Sequence, residues 1–136
     1  MVREIMRDVE FLKRPSRPAT AADVEIADDL METLRANADR CVGMAANMIG
    51  ESVCIIAVEA DGGYMEMFNP KILRKSDPYE AEEGCLSLVG TRKTRRCREI
   101  KLQWQTRDFK TRIKNFSGWT AQIIQHEIDH LEGVII

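Results

Sequence analysis

Apolar positions along the chain change their spacing from helical to alternating and back, and each change marks an element. Val24, Ala27, Leu30, Met31 and Leu34 recur at helical spacing and predict a helix from about Ala21 to Ala38. Thr20 stands at its N-cap, and Asp23 occupies the reciprocal position of a capping box. Upstream, Pro15 and Pro18 keep the chain extended or turning. Past Cys41 the helical period disappears. Val53-Cys54-Ile55-Ile56-Ala57-Val58 reads as a buried strand, Asp61-Gly62-Gly63 as a turn, and Tyr64 to Phe68 as the returning partner. Asn69-Pro70 is expected to end that strand, with another short one starting at Ile72. Ile100, Leu102 and Trp104 then alternate with Lys101, Gln103 and Gln105, and Thr111 to Phe116 alternates again beyond a turn at Asp108. This predicts an antiparallel hairpin with one solvated face.

A last helix opens after Ser117 and closes near Gly133, with Ala121, Ile124, Ile128 and Leu131 as its apolar stripe. The expected fold class is therefore α+β. Short, mostly antiparallel strands would pack around a central C-terminal helix, with one further helix near the N-terminus. Residues 1–136 are expected to form one domain, since no linker, repeat or low-complexity segment interrupts them.

That last helix also carries chemistry. In Gln125-His126-Glu127-Ile128-Asp129-His130 the chain places its two histidines four residues apart. On a helix such residues share a face, so both imidazoles can reach one metal ion. Glu127 then sits where a carboxylate can take a proton from a water activated by that ion. An open metal site uses three protein ligands, so one is missing. No other histidine exists, which leaves the upstream cysteines as candidates. Cys85 lies in Glu82-Glu83-Gly84-Cys85-Leu86-Ser87, between strand-like segments and beside a glycine that permits close backbone approach.

Composition narrows the setting. Hydrophobic residues make up 44% and charged residues 31% of the sequence, and the net charge is -2, which gives no reason to expect a nucleic-acid or membrane surface. Arg92-Lys93-Thr94-Arg95-Arg96-Cys97-Arg98 is a local basic run, read as a solvated edge strand. No segment approaches the ~18 apolar residues that span a bilayer. The first residues carry both charge signs and lack the apolar core of a signal peptide, so a cytoplasmic location with reduced cysteines is expected.

Glu83-Gly84-Cys85-Leu86-Ser87 followed downstream by the histidine motif resembles the peptide deformylases, and Val42-Gly43-Met44-Ala45-Ala46-Asn47-Met48-Ile49-Gly50 is similar to a third motif of that family. The resemblance covers nearly the whole chain. It implies Cys85, His126 and His130 as metal ligands, Glu127 as general base and acid, and the Leu86 backbone N–H as a donor to the formyl oxygen. It also implies Val42, Gly43 and Leu86 around a methionine pocket, and an arginine paired with the cysteine loop, for which Arg92 is the first choice ahead of Arg96. The metal of that family is typically ferrous iron, with zinc, nickel or cobalt able to replace it. The implied substrates are N-formylmethionyl peptides of nascent chains, with transient ribosome contact.

One departure stands out. The family's motif usually reads Gly-x-Gly-x-Ala-Ala-x-Gln, and here Cys41 replaces the first glycine and Met48 the glutamine. Methionine cannot donate the hydrogen bond that the glutamine amide gives the developing oxyanion, a loss worth ~10²–10³ in kcat. Asn47 carries an amide next door but points differently. The alternatives left open are a metal-binding paralogue that only binds peptides, and a hydrolase of another amide.

Overall fold

A computed structural model describes residues 1–85 and 87–135. Five antiparallel strands follow one another in chain order across a single sheet: β1 (Gly43–Ala45), β2 (Ile55–Ala60), β3 (Gly63–Gly84), β4 (Thr91–Gln105) and β5 (Thr111–Ser117). Three α-helices accompany them: α1 (Val9–Leu12), α2 (Val24–Ala36) and α3 (Gly118–Leu131). The α+β architecture with a central C-terminal helix is the one the hydrophobic pattern predicts.

Helix α2 is preceded by a 3-10 turn over Ala21–Asp23. The Asp23 carboxylate accepts the Thr20 N–H at 2.8 Å, the expected half of a capping box, and it also receives two hydrogen bonds from Arg17 at 2.7 and 2.8 Å. Ala27, Leu30, Thr33 and Leu34 form the buried face of α2. Helix α3 is enclosed more completely and packs across β1, β2 and β4. Its predicted stripe of Ala121, Ile124, Ile128 and Leu131 is buried, and so are Ile123, Gln125, His126, Glu127 and His130. Gln125 acts as a surrogate backbone: its amide accepts the Cys97 N–H at 2.9 Å and donates to the Cys97 carbonyl at 2.8 Å, pinning α3 to β4. Beyond the helix, Gly133 has φ +79, and a Cβ there would lie 2.1 Å from the Lys13 carbonyl oxygen, so only glycine fits.

Two expectations need correction here. Asn69-Pro70 does not end the second strand of the hairpin; β3 runs through it for 22 residues and pairs with β4 on both sides of an irregularity between Phe68 and Lys71. The physical reason lies in the two residue types. Asn69 adopts φ +50, a left-handed conformation that asparagine tolerates, and its side chain ties the bulge down by accepting the Ala19 N–H at 2.7 Å and donating to Gln105 Oε1 at 2.7 Å. Pro70 falls in the unpaired gap, where its missing N–H costs no ladder bond. The second correction concerns the basic run. Its residues pair with β3 alone, because β5 covers only Glu99–Gln105, so the edge-strand reading holds for Lys93, Arg95 and Arg98. Arg96, however, is buried at 3% exposure. It is the partner of the cysteine loop, in place of Arg92.

Candidate metal centre

Helix α3 supplies two imidazoles and the end of β3 supplies a thiol. Cys85 follows the last residue of β3, and one ligand atom each from Cys85, His126 and His130 lie within 4.8 Å of one another. The two histidine Nε2 atoms face each other at 3.0 Å. Two nitrogens bound tetrahedrally at ~2.0–2.1 Å from one ion would lie ~3.3 Å apart, so the observed separation fits a shared metal with little adjustment. One sulfur and two nitrogens leave a coordination position open, as a catalytic ion requires. The residues present fit the group.

A dense polar cluster stands behind this set. The Glu83 carboxylate contacts His126 Nδ1 at 2.8 Å and accepts from Arg96 at 2.7 Å, and Gln122 Nε2 donates to its other oxygen at 2.8 Å. Arg96 Nη1 donates in turn to Asp129 at 2.6 Å, which gives Asp129 a structural partner rather than a purely solvated role. A histidine whose Nδ1 is held by a carboxylate presents Nε2 to a metal in a fixed orientation. Burial opposes charge on Glu83, yet hydrogen bonds from His126, Arg96 and Gln122 outweigh it and bring the carboxyl down to about 2.

Burial likewise opposes charge on His126, but its contacts with Cys85 and Glu83 raise it to about 10. Burial, reinforced by the charge on His126, lowers His130 to about 3, which leaves that imidazole neutral. Glu127 is enclosed in the helix core, and burial pushes its carboxyl up to about 7.

The cluster opens onto a cleft of about 460 Å³, lined by Cys41, Val42, Gly43 and Met48 on one wall and by Cys85, Trp119, Gln122, Ile123, His126 and Glu127 on the other. Val42, Gly43 and Met48 line the same cleft as Cys85 and His126. Leu86 lies outside the described residues. A Cβ at Gly43 would stand 2.6 Å from Ile123 Cγ2 and 3.0 Å from Glu127 Oε2, so glycine is what lets β1 lie directly on Glu127. Met48 is fully buried, and its sulfur receives the Ala45 N–H at 3.4 Å. Asn47 is committed elsewhere: its amide donates to the His130 carbonyl at 2.7 Å. It does not replace the missing glutamine. The Cys41 thiol donates to the Gly43 carbonyl at 2.8 Å, and burial, with the nearby Glu127 charge, pushes its pKa up to about 12.

A family model for polypeptide deformylase matches residues 2–136. The chain belongs to the polypeptide deformylase family. A peptide deformylase of Clostridium beijerinckii is 48% identical over 136 residues, covering 100% of both chains, and one from Dictyoglomus thermophilum is 34% identical over 142 residues, covering 100% of this chain and 91% of that protein. Among solved structures, peptide deformylase from Thermotoga maritima superposes with a TM-score of 0.89 at 28% identity, covering 99% of this chain and 95% of that one. A class I type b peptide deformylase from Acinetobacter baumannii, bound to Met-Ala-Ser, gives a TM-score of 0.89 at 27% identity over 99% and 97% of the two chains. Peptide deformylases are metalloenzymes, in keeping with the cluster found here.

Sequence reading did not assign Gln122, Trp119 or Ile123 to the site. Gln122 and Trp119 carried a findable signal: they precede His126 by four and seven residues and so share its helix face. Tyr79, which donates to Gln122 Oε1 at 3.1 Å, carried none, because only strand pairing brings it near.

Proposed function

We propose that this chain removes the formyl group from N-formylmethionyl peptides, with Cys85, His126 and His130 holding one divalent metal ion. The observation that carries the reading is the convergence of those three side chains beside Glu127 at one end of a cleft. Membership of the deformylase family and full-length identity to a named deformylase favour it over a peptide-binding paralogue. Ferrous iron is the ion assigned in the cell, with zinc, nickel or cobalt as substitutes, since thiolate and imidazole donors suit each. Such an ion, when bound, supplies the Lewis acidity that makes water nucleophilic near neutral pH.

This chain's residues then divide the work. Glu127, with its carboxyl lifted to about 7 by burial, accepts a proton from the attacking water and delivers it to the departing amine nitrogen of methionine. Among the described residues strand β1 pairs only with β2, and Gly43 borders the cleft, so a peptide backbone can run along its other edge. Val42, Gly43 and Ile123 offer an apolar wall for the methionine side chain. The Leu86 N–H is assigned to the formyl oxygen. Met48 contributes only apolar surface to the same wall. No helix among the described residues is long and apolar enough to cross a membrane. The cytoplasm, where nascent chains emerge from the ribosome, is the assigned location.

Deformylation of formyl-Met-Ala-Ser by anaerobically purified, iron-loaded protein tests the reading, with Glu127→Ala as control. Turnover that vanishes in the control is expected. A protein carrying one metal per chain and no turnover would transfer the assignment to peptide binding or to another amide.

A further inference from the structure

Gln122 lies one helical turn before His126, so both side chains leave α3 on the same face. The Glu83 carboxylate bridges them, with Oε1 at 2.8 Å from His126 Nδ1 and Oε2 receiving Gln122 Nε2 at 2.8 Å. A carboxyl group's terminal torsion is soft, so hydrogen bonds set its plane. Arg96 grips both oxygens from the other side, at 2.7 Å to Oε1 and 3.0 Å to Oε2. With Gln122 present, the carboxylate cannot rotate without losing either His126 or its amide donor.

The amide itself is held in one sense. Tyr79 Oη donates to Gln122 Oε1 at 3.1 Å, which leaves Nε2 to face Glu83. The opposite orientation would set an oxygen against the Glu83 carboxylate and lose that bond, so the carboxylate fixes the sense of the amide and Tyr79 adds a contact to its far end. Tyr79 is steadied in turn by the Arg98 guanidinium, which sits 4.6 Å over its ring. Four side chains thus run from the surface of the β3–β4 ribbon to the imidazole: Arg98, Tyr79, Gln122 and Glu83. Because both polar ends of Gln122 are occupied, the part that borders the cleft needs nothing from a substrate.

We infer that Gln122, buttressed by Tyr79, is a positioning residue that holds Glu83 on His126 Nδ1 and so fixes the orientation of the His126 ring. This rests on the reading of His126 as a ligand. Outer partners of metal-bound histidines are typically worth 10–100-fold in metal affinity. Arg96 also holds Glu83, so the effect of Gln122 alone falls at the low end.

Cobalt(II) titration of the metal-free protein against a chromophoric chelator, with absorption spectra of the cobalt complex, provides the test. Gln122→Leu is expected to weaken cobalt binding about tenfold and to shift the ligand-field bands, with the melting temperature of the metal-free protein unchanged. Tyr79→Phe, a mild change at a half-buried site, is expected to move affinity and spectrum the same way by a smaller factor, and it carries the test if Gln122→Leu folds poorly. Unchanged affinity and spectrum in both variants would overturn the inference, and a raised KM for formyl peptide alongside them would make Gln122 a cleft wall instead. Weaker binding with an unaltered spectrum and an equal loss of metal-free stability would also overturn it, as simple packing. Wild-type protein that binds no stoichiometric cobalt would overturn the metal-site reading itself, and this inference with it.

Discussion

The two walls of the cleft are built on opposite principles. On the α3 side, His126, Glu83, Arg96, Gln122 and Asp129 form one connected set of hydrogen bonds. On the β1 side, the polar groups turn away from the cleft or lack partners. The Asn47 amide nitrogen is spent on the His130 carbonyl, its Oδ1 has no partner among the described residues, Cys41 donates to the Gly43 carbonyl of β1 and Met48 has nothing to donate. The difference follows from what each wall must hold. An ion tolerates little angular error, and the Glu83 carboxylate gives His126 rigid support, while His130 Nδ1 and Glu127 Oε1 have no hydrogen-bond partner among the described residues. A methionine side chain needs apolar surface and shape, and both survive the loss of a donor. Cys41 and Met48, the two positions that differ from the motif this chain resembles, both lie on the permissive wall.

Substitutions on the two walls should break or sharpen this contrast. His126→Ala strikes the ligand set directly and is expected to abolish stoichiometric metal binding and all turnover, as metal analysis of purified protein would show. Retained stoichiometric metal would refute the ligand assignment. Next in size is Arg96→Met, which leaves Glu83 buried and without its cation; breaking such a pair costs about 3–5 kcal/mol. Denaturant unfolding of the metal-free protein measures that loss, and one below about 1 kcal/mol would mean that the cluster is not under electrostatic constraint.

Met48→Gln probes the opposite wall. The Ala45 N–H that now meets the methionine sulfur can bond the new amide oxygen, turning its nitrogen toward the cleft. A gain in kcat of up to ~10²–10³, the value of one oxyanion donor, is expected, with KM little changed. No gain would mean that the formyl oxygen is already satisfied. The smallest effect lies outside the site and calibrates the others. Arg17, through its hydrogen bonds, holds the Asp23 carboxyl at about 2, below its usual 3.8. A depressed carboxyl contributes stability that is present above pH ~4 and is lost as pH falls toward 2. Because Arg17 is exposed, the contribution is at most about 1 kcal/mol. The stability gap between wild type and Asp23→Asn should close across that window; a gap constant in pH would remove Arg17 as its cause.

Much of this was legible in the residues. Helical spacing in α2 and α3 and alternation in β4 are local patterns backed by buried apolar positions, and they read correctly. Strand β5 pairs with β4 as expected, but Phe116 is its one buried residue and Ile113 is 55% exposed. The histidine pair was legible for the same reason, because four residues on a helix fix a shared face without reference to the rest of the fold. Asn69-Pro70 misled because a bulge is decided by distant partners: Ala19 and Gln105 hold Asn69 in a conformation that the local sequence would assign to a chain break. Arg96 rather than Arg92 meets Glu83, although Arg92 is the residue opposite Glu83 in the strand register. Arginines within one basic run look alike, and only the packing of α3 against β4 selects the one that is buried.

The sequence by itself therefore determined the α+β class, the helix that bears the histidine pair, the side chains that its motifs mark as candidate ligands and the absence of an amide at position 48. Tertiary structure alone decided how those ligands are held. Glu83, Arg96, Gln122 and Tyr79 come from three different elements, and no spacing rule connects them. Their geometry exists only after β3 and β4 pair and α3 docks across the sheet, because a buried carboxylate takes its donors from whatever the completed fold places around it.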